Sequence, residues 1–371
     1  MILNNYYRKN NNETNQQLKL LIDSLYNNKK LCKEEFLFIL NHINEELFSY
    51  LQAKACLKRN EIYQDSVFIR GLIEISNYCI QDCYYCGIRL SNKNVERYRY
   101  DKETILRIVA DAYQKSYKTI VLQGGEDSYY TDEILVSIIK EIKEKYPDLV
   151  ITLSLGERTL ESYQELYDAG ASRYLLRHES ASERHYQKLH PEKMSLQKRK
   201  ECLTNLKVIG FQTGAGLMVG SPFQTNEDLV EDLLFLQEFQ PEMIGVGPFL
   251  KHHETPFKDE SNGDLNHVLV IYALARLIVP NALIPSTTAT SSLAKDGRLK
   301  ALKSGCNVIM INLSDFDKRK NYQLYENKVY QGDESDEYRE LIRSDINKAN
   351  LIMDFSQGNY RRKDERNGNI Y

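Results

Sequence analysis

The chain has 371 residues, 42% apolar and 27% charged, with 49 basic against 52 acidic side chains and a formal net charge of −3. Such a length exceeds one small domain and suits a large α/β barrel with appendages, or two medium domains. The balanced charge argues against a nucleic-acid binder, which carries an excess of Lys and Arg, and no apolar run reaches the length of a membrane span.

Residues 1 to about 15 are polar and Asn-rich, with no apolar signal core. They predict a frayed start and a cytoplasmic rather than secreted chain. From Gln16 to about Asn60 apolar residues recur at helix spacing, as in Leu18, Leu21, Ile22 and Leu25, then Phe36, Ile39, Leu40 and Ile43. This predicts a helical N-terminal extension over residues 1–66. From Val67 the period changes. Short apolar runs alternate with amphipathic stretches: 68–75, 119–122, 150–153, 174–176, 212–217, 243–246, 282–284 and 308–311. Between them lie helix starts: Asp101, Thr131, and Thr225 with Asp228 in a capping box. Gly170, Gly210 and Gly305 fall at helix ends, where a left-handed residue is needed. The most apolar stretch, Val268 to Val279, is interrupted by Tyr272 and Arg276. Eight βα units in series predict an α/β fold, a (β/α)8 TIM barrel over residues 67–318, with a doubly wound open sheet as competitor because periodicity does not close a barrel. Residues 319–371 turn polar and Tyr-rich; they are expected to close on the barrel and to end, from Gly358 to Tyr371, in a loosely held tail.

The seven cysteines are Cys32, Cys56, Cys79, Cys83, Cys86, Cys202 and Cys306. An odd count with a tight trio reads as metal ligation or redox chemistry rather than a disulfide framework. The trio follows the first strand with spacing C-x3-C-x2-C, in Cys79-Ile80-Gln81-Asp82-Cys83-Tyr84-Tyr85-Cys86. A [4Fe–4S] cube ordinarily takes four cysteines, so three leave one iron open for a substrate. A structural zinc site is the alternative, with Cys202 or Cys306 folding back as a fourth ligand; three merely buried cysteines are another.

Other residues cluster at strand ends. Gln123-Gly124-Gly125-Glu126 allows close backbone approach, or is a plain turn. Leu176-Arg177-His178-Glu179 follows the fourth strand, and Arg199 stands in a charged run that also suits a solvated helix face. Arg fits a carboxylate partner, Glu a sugar hydroxyl. Gly214-Ala215-Gly216 in the fifth strand admits either a ligand or barrel packing. Ser286-Thr287-Thr288 binds an anion or caps the next helix equally well on spacing alone. His178, His252 and His253 fall near strand ends and are assigned no metal. No P-loop or nucleophile elbow is present.

The loop C-x3-C-x-aromatic-C, with Tyr85 at the aromatic position, resembles that of radical S-adenosylmethionine (SAM) enzymes. Longer runs, Val67 to Asn77, Cys86-Gly87-Ile88-Arg89, Arg97-Tyr98-Arg99-Tyr100, Val121 to Asp127, Arg173 to Glu179 and Met218 to Pro222, resemble the [FeFe]-hydrogenase maturation enzymes of the HydE type over about residues 67–330. The resemblance implies one [4Fe–4S] cluster on Cys79, Cys83 and Cys86, and SAM beside Tyr85, Gly124, Gly125, Glu126, Arg177, Glu179 and Arg199. By the same resemblance Gln123, Thr152, Thr287 and Thr288 bind anionic groups in the cavity and Tyr322 closes near the site. The implied substrate is a cysteine-bound iron carbonyl cyanide complex from a partner maturase, attacked at sulfur by the adenosyl radical during assembly of the two-iron subcluster. Implied partners are the other hydrogenase maturation proteins and an electron-donor protein, with no nucleic acid or membrane. Some relatives hold a second cluster on C-terminal cysteines; this chain has none after Cys306, so one cluster is expected. Two rivals stay open: a biotin synthase-like or methylornithine synthase-like enzyme acting on an organic substrate, and an iron–sulfur scaffold or carrier without SAM turnover.

Overall fold

The computed structural model describes residues 2–328 and 336–361. Its first three helices, Ile2–Tyr26, Lys33–His42 and Glu45–Tyr63, form the N-terminal extension. The first begins at Ile2 rather than near Gln16, so regular structure reaches further forward than the polar composition implied. Leu18, Ile22, Leu25, Phe36 and Ile39 form its buried face, and Asn44 caps the third helix by accepting from the Leu47 amide at 3.1 Å. That third helix packs on the helix Leu265–Ile278, which is buried on every side between extension and barrel. The apolar stretch noted in the sequence is therefore interior. Its Arg276 is spent on the carbonyls of Gly305, Pro280 and Ala282, at 2.9, 2.8 and 2.7 Å, and on Asn307 Oδ1 at 2.9 Å. Among the described residues no helix is long and apolar enough to cross a membrane.

The strands are β1 (Ser66–Ser76), β2 (Thr119–Gly124), β3 (Val150–Ser154), β4 (Arg173–Leu175), β5 (Gln212–Val219), β6 (Met243–Pro248), β7 (Pro285–Ser286), β8 (Val308–Asn312) and β9 (Ile352–Asp354). All neighbouring pairs are parallel, in the order β6-β5-β4-β3-β2-β1-β8-β7. The ring closes through a parallel bridge between Met243 and Leu283, with Ile244 N donating to Leu283 O at 3.0 Å. The closed TIM-type barrel replaces the open-sheet competitor. The seventh strand sits slightly later than the predicted run 282–284, and Pro285 deprives its ladder of one donor. Expected caps are present: Asp101 on Thr104 N, Thr131 on Ile134 N, and the Thr225–Asp228 box. Gly170, Gly210 and Gly305 take φ of +116°, +109° and +95° at helix ends.

The C-terminal part meets both ends of the barrel. Residues 319–328 lie at the mouth, where the strands' carboxyl ends open. At the opposite end β9 pairs with β1 at Ser66 to Phe68. There Arg173 Nη2 donates to Gln357 O at 3.0 Å and Asn359 Oδ1 at 2.7 Å, and Asn281 donates to Arg361 O. Residues 358–361 are thus fixed across the barrel base rather than loosely held; the rest of the expected tail lies outside the described residues.

Candidate active site

The cysteine loop leaves β1 at the barrel mouth and is tied down at many points. Leu90 N donates to Gln81 O at 2.8 Å, Tyr84 N to Leu189 O at 2.9 Å and Gly87 N to Leu324 O at 2.8 Å. Arg97 gathers the loop's end, donating to Ile88 O at 2.8 Å, Arg89 O at 2.7 Å, Asn92 O at 3.0 Å and also to Asn77 O. Asp82 accepts from Arg89 Nε at 2.7 Å, and this bond holds its carboxyl well below the usual range. Gly87 is obligatory, because a Cβ there would run into the Gln323 carbonyl and lie 2.5 Å from the His252 ring.

Cys79, Cys83 and Cys86 are free thiols, half-buried in this loop. Burial, then their mutual repulsion, pushes the Cys83 thiol well up and Cys86 up to about 12; burial raises Cys79 as well. Cys202 and Cys306 lie buried elsewhere, the first on the helix Leu196–Ile209 and the second ahead of β8. Among the described residues no three His, Cys, Asp or Glu side chains are gathered tightly enough for a single metal ion. Tyr85 donates its hydroxyl to His190 Nε2 at 3.2 Å, since His190 Nδ1 donates to Tyr186 O at 2.9 Å. Burial keeps His190 neutral, its pKa pulled to about 3.

The Gly-Gly-Glu turn after β2 touches this loop. A Cβ on Gly125 would strike the Tyr78 carbonyl and lie 2.7 Å from Cys79 Cβ. Glu126 Oε2 accepts from Gln81 Nε2 at 2.7 Å, and Glu126 Oε1 from Glu157 N at 3.2 Å. Arg199 is buried, so its helix turns this residue inward. Its Nε lies 2.5 Å from Glu157 Oε1, and its Nη1 donates to Arg177 O at 3.0 Å. Burial opposes the Arg199 charge, but Glu157 and Glu126 more than offset it and hold its pKa above the ordinary value. Arg177 lies across the small residues of β5 and β6, 3.0 Å from the space a Cβ on Gly216 would fill. Arg177 Nη2 donates to Leu217 O at 2.8 Å and sits 2.9 Å from Glu179 Oε2 without aligning on it. Glu179 Oε2 and Arg177 Nε therefore have no hydrogen-bond partner among the described residues. Glu179 holds φ +65°, a strained value for a residue with a side chain.

Below this layer, Gln123 Nε2 reaches Tyr322 OH at 3.4 Å, and Tyr322 is fully enclosed. Lys328 pairs with buried Glu74 and donates to Tyr322 O at 2.9 Å. Thr287 occupies the N-cap position of the helix Thr288–Leu293, but its hydroxyl makes no cap bond. Instead it meets Thr290 Oγ1 at 2.9 Å and Tyr272 OH at 3.3 Å. Thr288 opens that helix. Thr152 Oγ1 is buried without a partner beside a cavity of about 20 Å³ that Arg70, Met243 and Met310 also line. Arg70 is buried with Nε and Nη2 unsatisfied, and burial pulls its pKa to about 10.

The structure thus brings Tyr85, Gly125, Glu126 and Arg199 around the cysteine loop, with Arg177 beside Glu179 across β5 and β6, and Gln123 next to Tyr322. It sets Thr152 one layer deeper, paired in register with Val121. Sequence reading missed Glu157, the partner of Arg199, in a stretch with no motif. It also missed His190 behind Tyr85, Gln81 on Glu126, and the Lys328–Glu74 pair. Arg97 stood inside a noted run, and its position after the loop was the one available signal.

A model of the radical SAM superfamily matches residues 73–236. The [FeFe] hydrogenase maturase subunit HydE of Thermotoga maritima is 46% identical over 271 residues, spanning 73% of this chain and 77% of that one. A 3-methylornithine synthase of Methanosarcina acetivorans is 26% identical over 309 residues, 82% and 86% of the two chains. Among solved structures, methylornithine synthase superposes with a TM-score of 0.77 at 23% identity, covering 90% of this chain and 97% of the other. The [FeFe]-hydrogenase maturase HydG gives 0.78 at 20%, covering 95% and 80%. At these identities the structural likeness shows the barrel fold.

Proposed function

Because this chain belongs to the HydE family of [FeFe] hydrogenase maturases, radical SAM enzymes whose superfamily implies a [4Fe–4S] cluster and SAM, we propose how its own residues serve that chemistry. Cys79, Cys83 and Cys86 hold one cluster by three thiolates. The donor set fits: three free thiols share one half-buried mouth, and the remaining buried cysteines stand apart. When bound, the cluster supplies the electron that cleaves SAM to an adenosyl radical.

The chain's residues bind and orient. Gly125 lets the turn seat directly against the cysteine loop, and Glu126 offers a carboxylate beside Cys79 for the methionine ammonium. Arg177 and Arg199 meet the methionine carboxylate, and Glu179 Oε2, ion-paired with Arg177 but free of hydrogen bonds among the described residues, accepts from a ribose hydroxyl. Tyr85 lines the loop. Gln123, Thr152, Thr287 and Thr288 fix an anionic substrate within the barrel, and Tyr322 covers it. We take that substrate to be a cysteine-bound iron carbonyl cyanide complex, attacked at sulfur while the two-iron subcluster of the hydrogenase is assembled. The observation that carries this reading is the interior charge: Arg70 and Arg177 keep guanidinium N–H groups without partners inside an enclosed barrel, which suits an anion. Enclosure also keeps competing hydrogen donors from a radical. Partner maturases, an electron-donor protein and a cytoplasmic setting belong to the same reading. An organic substrate of the methylornithine synthase kind is the second reading, resting on the shared barrel and the 26% identity.

The test is a maturation assay with purified partners, the synthetic iron carbonyl precursor supplied or withheld. Hydrogenase activation that requires both this protein and the precursor is expected. Precursor left unaltered while 5′-deoxyadenosine forms with an amino-acid substrate would favour the second reading.

A further inference from the structure

His178 stands between Arg177 and Glu179 but faces the helix layer, where it is fully buried. Its ring meets Phe235 of the helix Asn226–Phe239 edge-on, with centroids 4.7 Å apart. The Gly216 amide lies 3.3 Å from Nδ1, and Nε2 lies 3.1 Å from Asp232 Oδ1. A backbone amide only donates, so Nδ1 accepts and the ring's single proton sits on Nε2, aimed at Asp232. Asp232 Oδ1 also accepts from the Ala181 amide at 2.5 Å, while its Oδ2 is buried without a partner among the described residues. Burial lowers the His178 pKa to about 3 and raises that of Asp232, which agrees with a neutral pair.

The same Gly216 controls the neighbouring turn. Its carbonyl accepts from Glu179 N at 3.0 Å, and Glu179 O accepts from Met218 N at 3.0 Å. These bonds bridge Glu179 onto β5 at Leu217, with Glu179 held at φ +65°. A left-handed residue with a side chain persists only where its surroundings over-determine it. Gly216 tolerates no substitute that would move it, since a Cβ there would meet the Gly245 carbonyl.

We propose that His178 is a positioning residue: anchored on Asp232, it fixes the Gly216 peptide and thereby the left-handed turn that aims the Glu179 carboxylate at the ribose of SAM. This rests on the reading of Glu179 as a SAM contact.

The test uses His178→Asn, whose Oδ1 replaces the acceptor at Nδ1, and His178→Gln, whose amide reaches the Nε2 side alone. SAM affinity is measured by calorimetry on cluster-reconstituted protein, and amide exchange at Gly216 to Met218 on cofactor-free protein. His178→Gln should weaken SAM binding about tenfold at native iron content and speed exchange at Gly216. His178→Asn should restore both. Equal effects of the two variants, or none, overturn the proposal. If neither variant folds, nitrogen NMR of the unmutated protein decides, because a ring protonated on Nδ1 at neutral pH contradicts it. Glu179→Gln separates the two levels. Unchanged SAM affinity there defeats the SAM reading, while faster Gly216 exchange in His178→Gln would still uphold the link between ring and turn.

Discussion

Gly125→Ala probes the contact on which the cysteine loop rests. A Cβ at this position would lie 2.7 Å from Cys79 Cβ and overlap the Tyr78 carbonyl. Carbon atoms pack at about 3.5 Å or more, so Cys79 must retreat by nearly ~1 Å. The loop has little freedom to do so. Tyr78 N donates to Ser76 Oγ at 3.0 Å, Ile80 N donates to Glu126 O at 2.9 Å, and the Arg99 guanidinium stacks 3.7 Å above the Tyr78 ring. Overpacking of this kind costs about 1–3 kcal/mol, a fall in Tm of about 2–6 °C in a chain this large. The chemical loss should be greater, because a displacement near ~1 Å at a reacting site costs about 100-fold in rate. The assay pairs Tm and iron content with 5′-deoxyadenosine formation from SAM. Gly124→Ala is the control, since its Cβ would sit 3.3 Å from Ser76 O and needs a far smaller shift. If Gly125→Ala loads iron and cleaves SAM like the unmutated protein, the turn does not support the loop as argued.

Cys83→Ala should abolish SAM cleavage after anaerobic reconstitution, and the unmutated chain should bind about four irons; retained 5′-deoxyadenosine production, or iron near eight, contradicts the single three-thiolate cluster. Stability should fall as pH drops from about 6.5 toward 3. His178 and His190 stay neutral in the folded chain, with pKa values of about 3, yet protonate near 6.5 when unfolded, so the unfolded state binds more protons across that window. A melting temperature unchanged between pH 7.5 and 4.5 would contradict this. Arg70→Met removes a buried, incompletely paired guanidinium and should raise Tm while lowering turnover of an anionic precursor; a lower Tm would show that Arg70 is satisfied in a way its geometry does not reveal.

The parts legible in the sequence are those with local causes. The cysteine spacing, the capping residues and the alternation of strand and helix each act within a few residues, and apart from the seventh strand the helix caps and strands appear where their patterns placed them. The parts that were not legible depend on residues far apart. Arg199 sits in Gln197-Lys198-Arg199-Lys200, a run suited to water, and turns inward because Glu157, 42 positions earlier, waits at the end of β3. The base strap was hidden for the same reason. Nothing local to Gly358 announces that Arg173, 185 positions away, donates to its carbonyl and holds it over the base. Pro285 marks an intermediate case: its effect on the ladder is local, but whether the ring closes depends on β6 meeting Leu283.

The distribution of unmet polar groups follows from the two closures. Tyr322 with the Lys328–Glu74 pair covers the mouth side, and the segment from β9 to Arg361 covers the base. Between them the barrel holds Arg70, Thr152 and Arg177 with donors that neither closure satisfies. Burying such groups unpaired costs free energy where apolar side chains would gain it, so they oppose folding unless a ligand completes them. Arg276, by contrast, is fully paired, with three carbonyls and an amide oxygen, while Arg158 and Arg173 also keep buried nitrogens without a partner among the described residues. Of these groups Arg70, Thr152 and Arg177 belong to the barrel interior and its mouth, where a radical and its anionic target would have to meet.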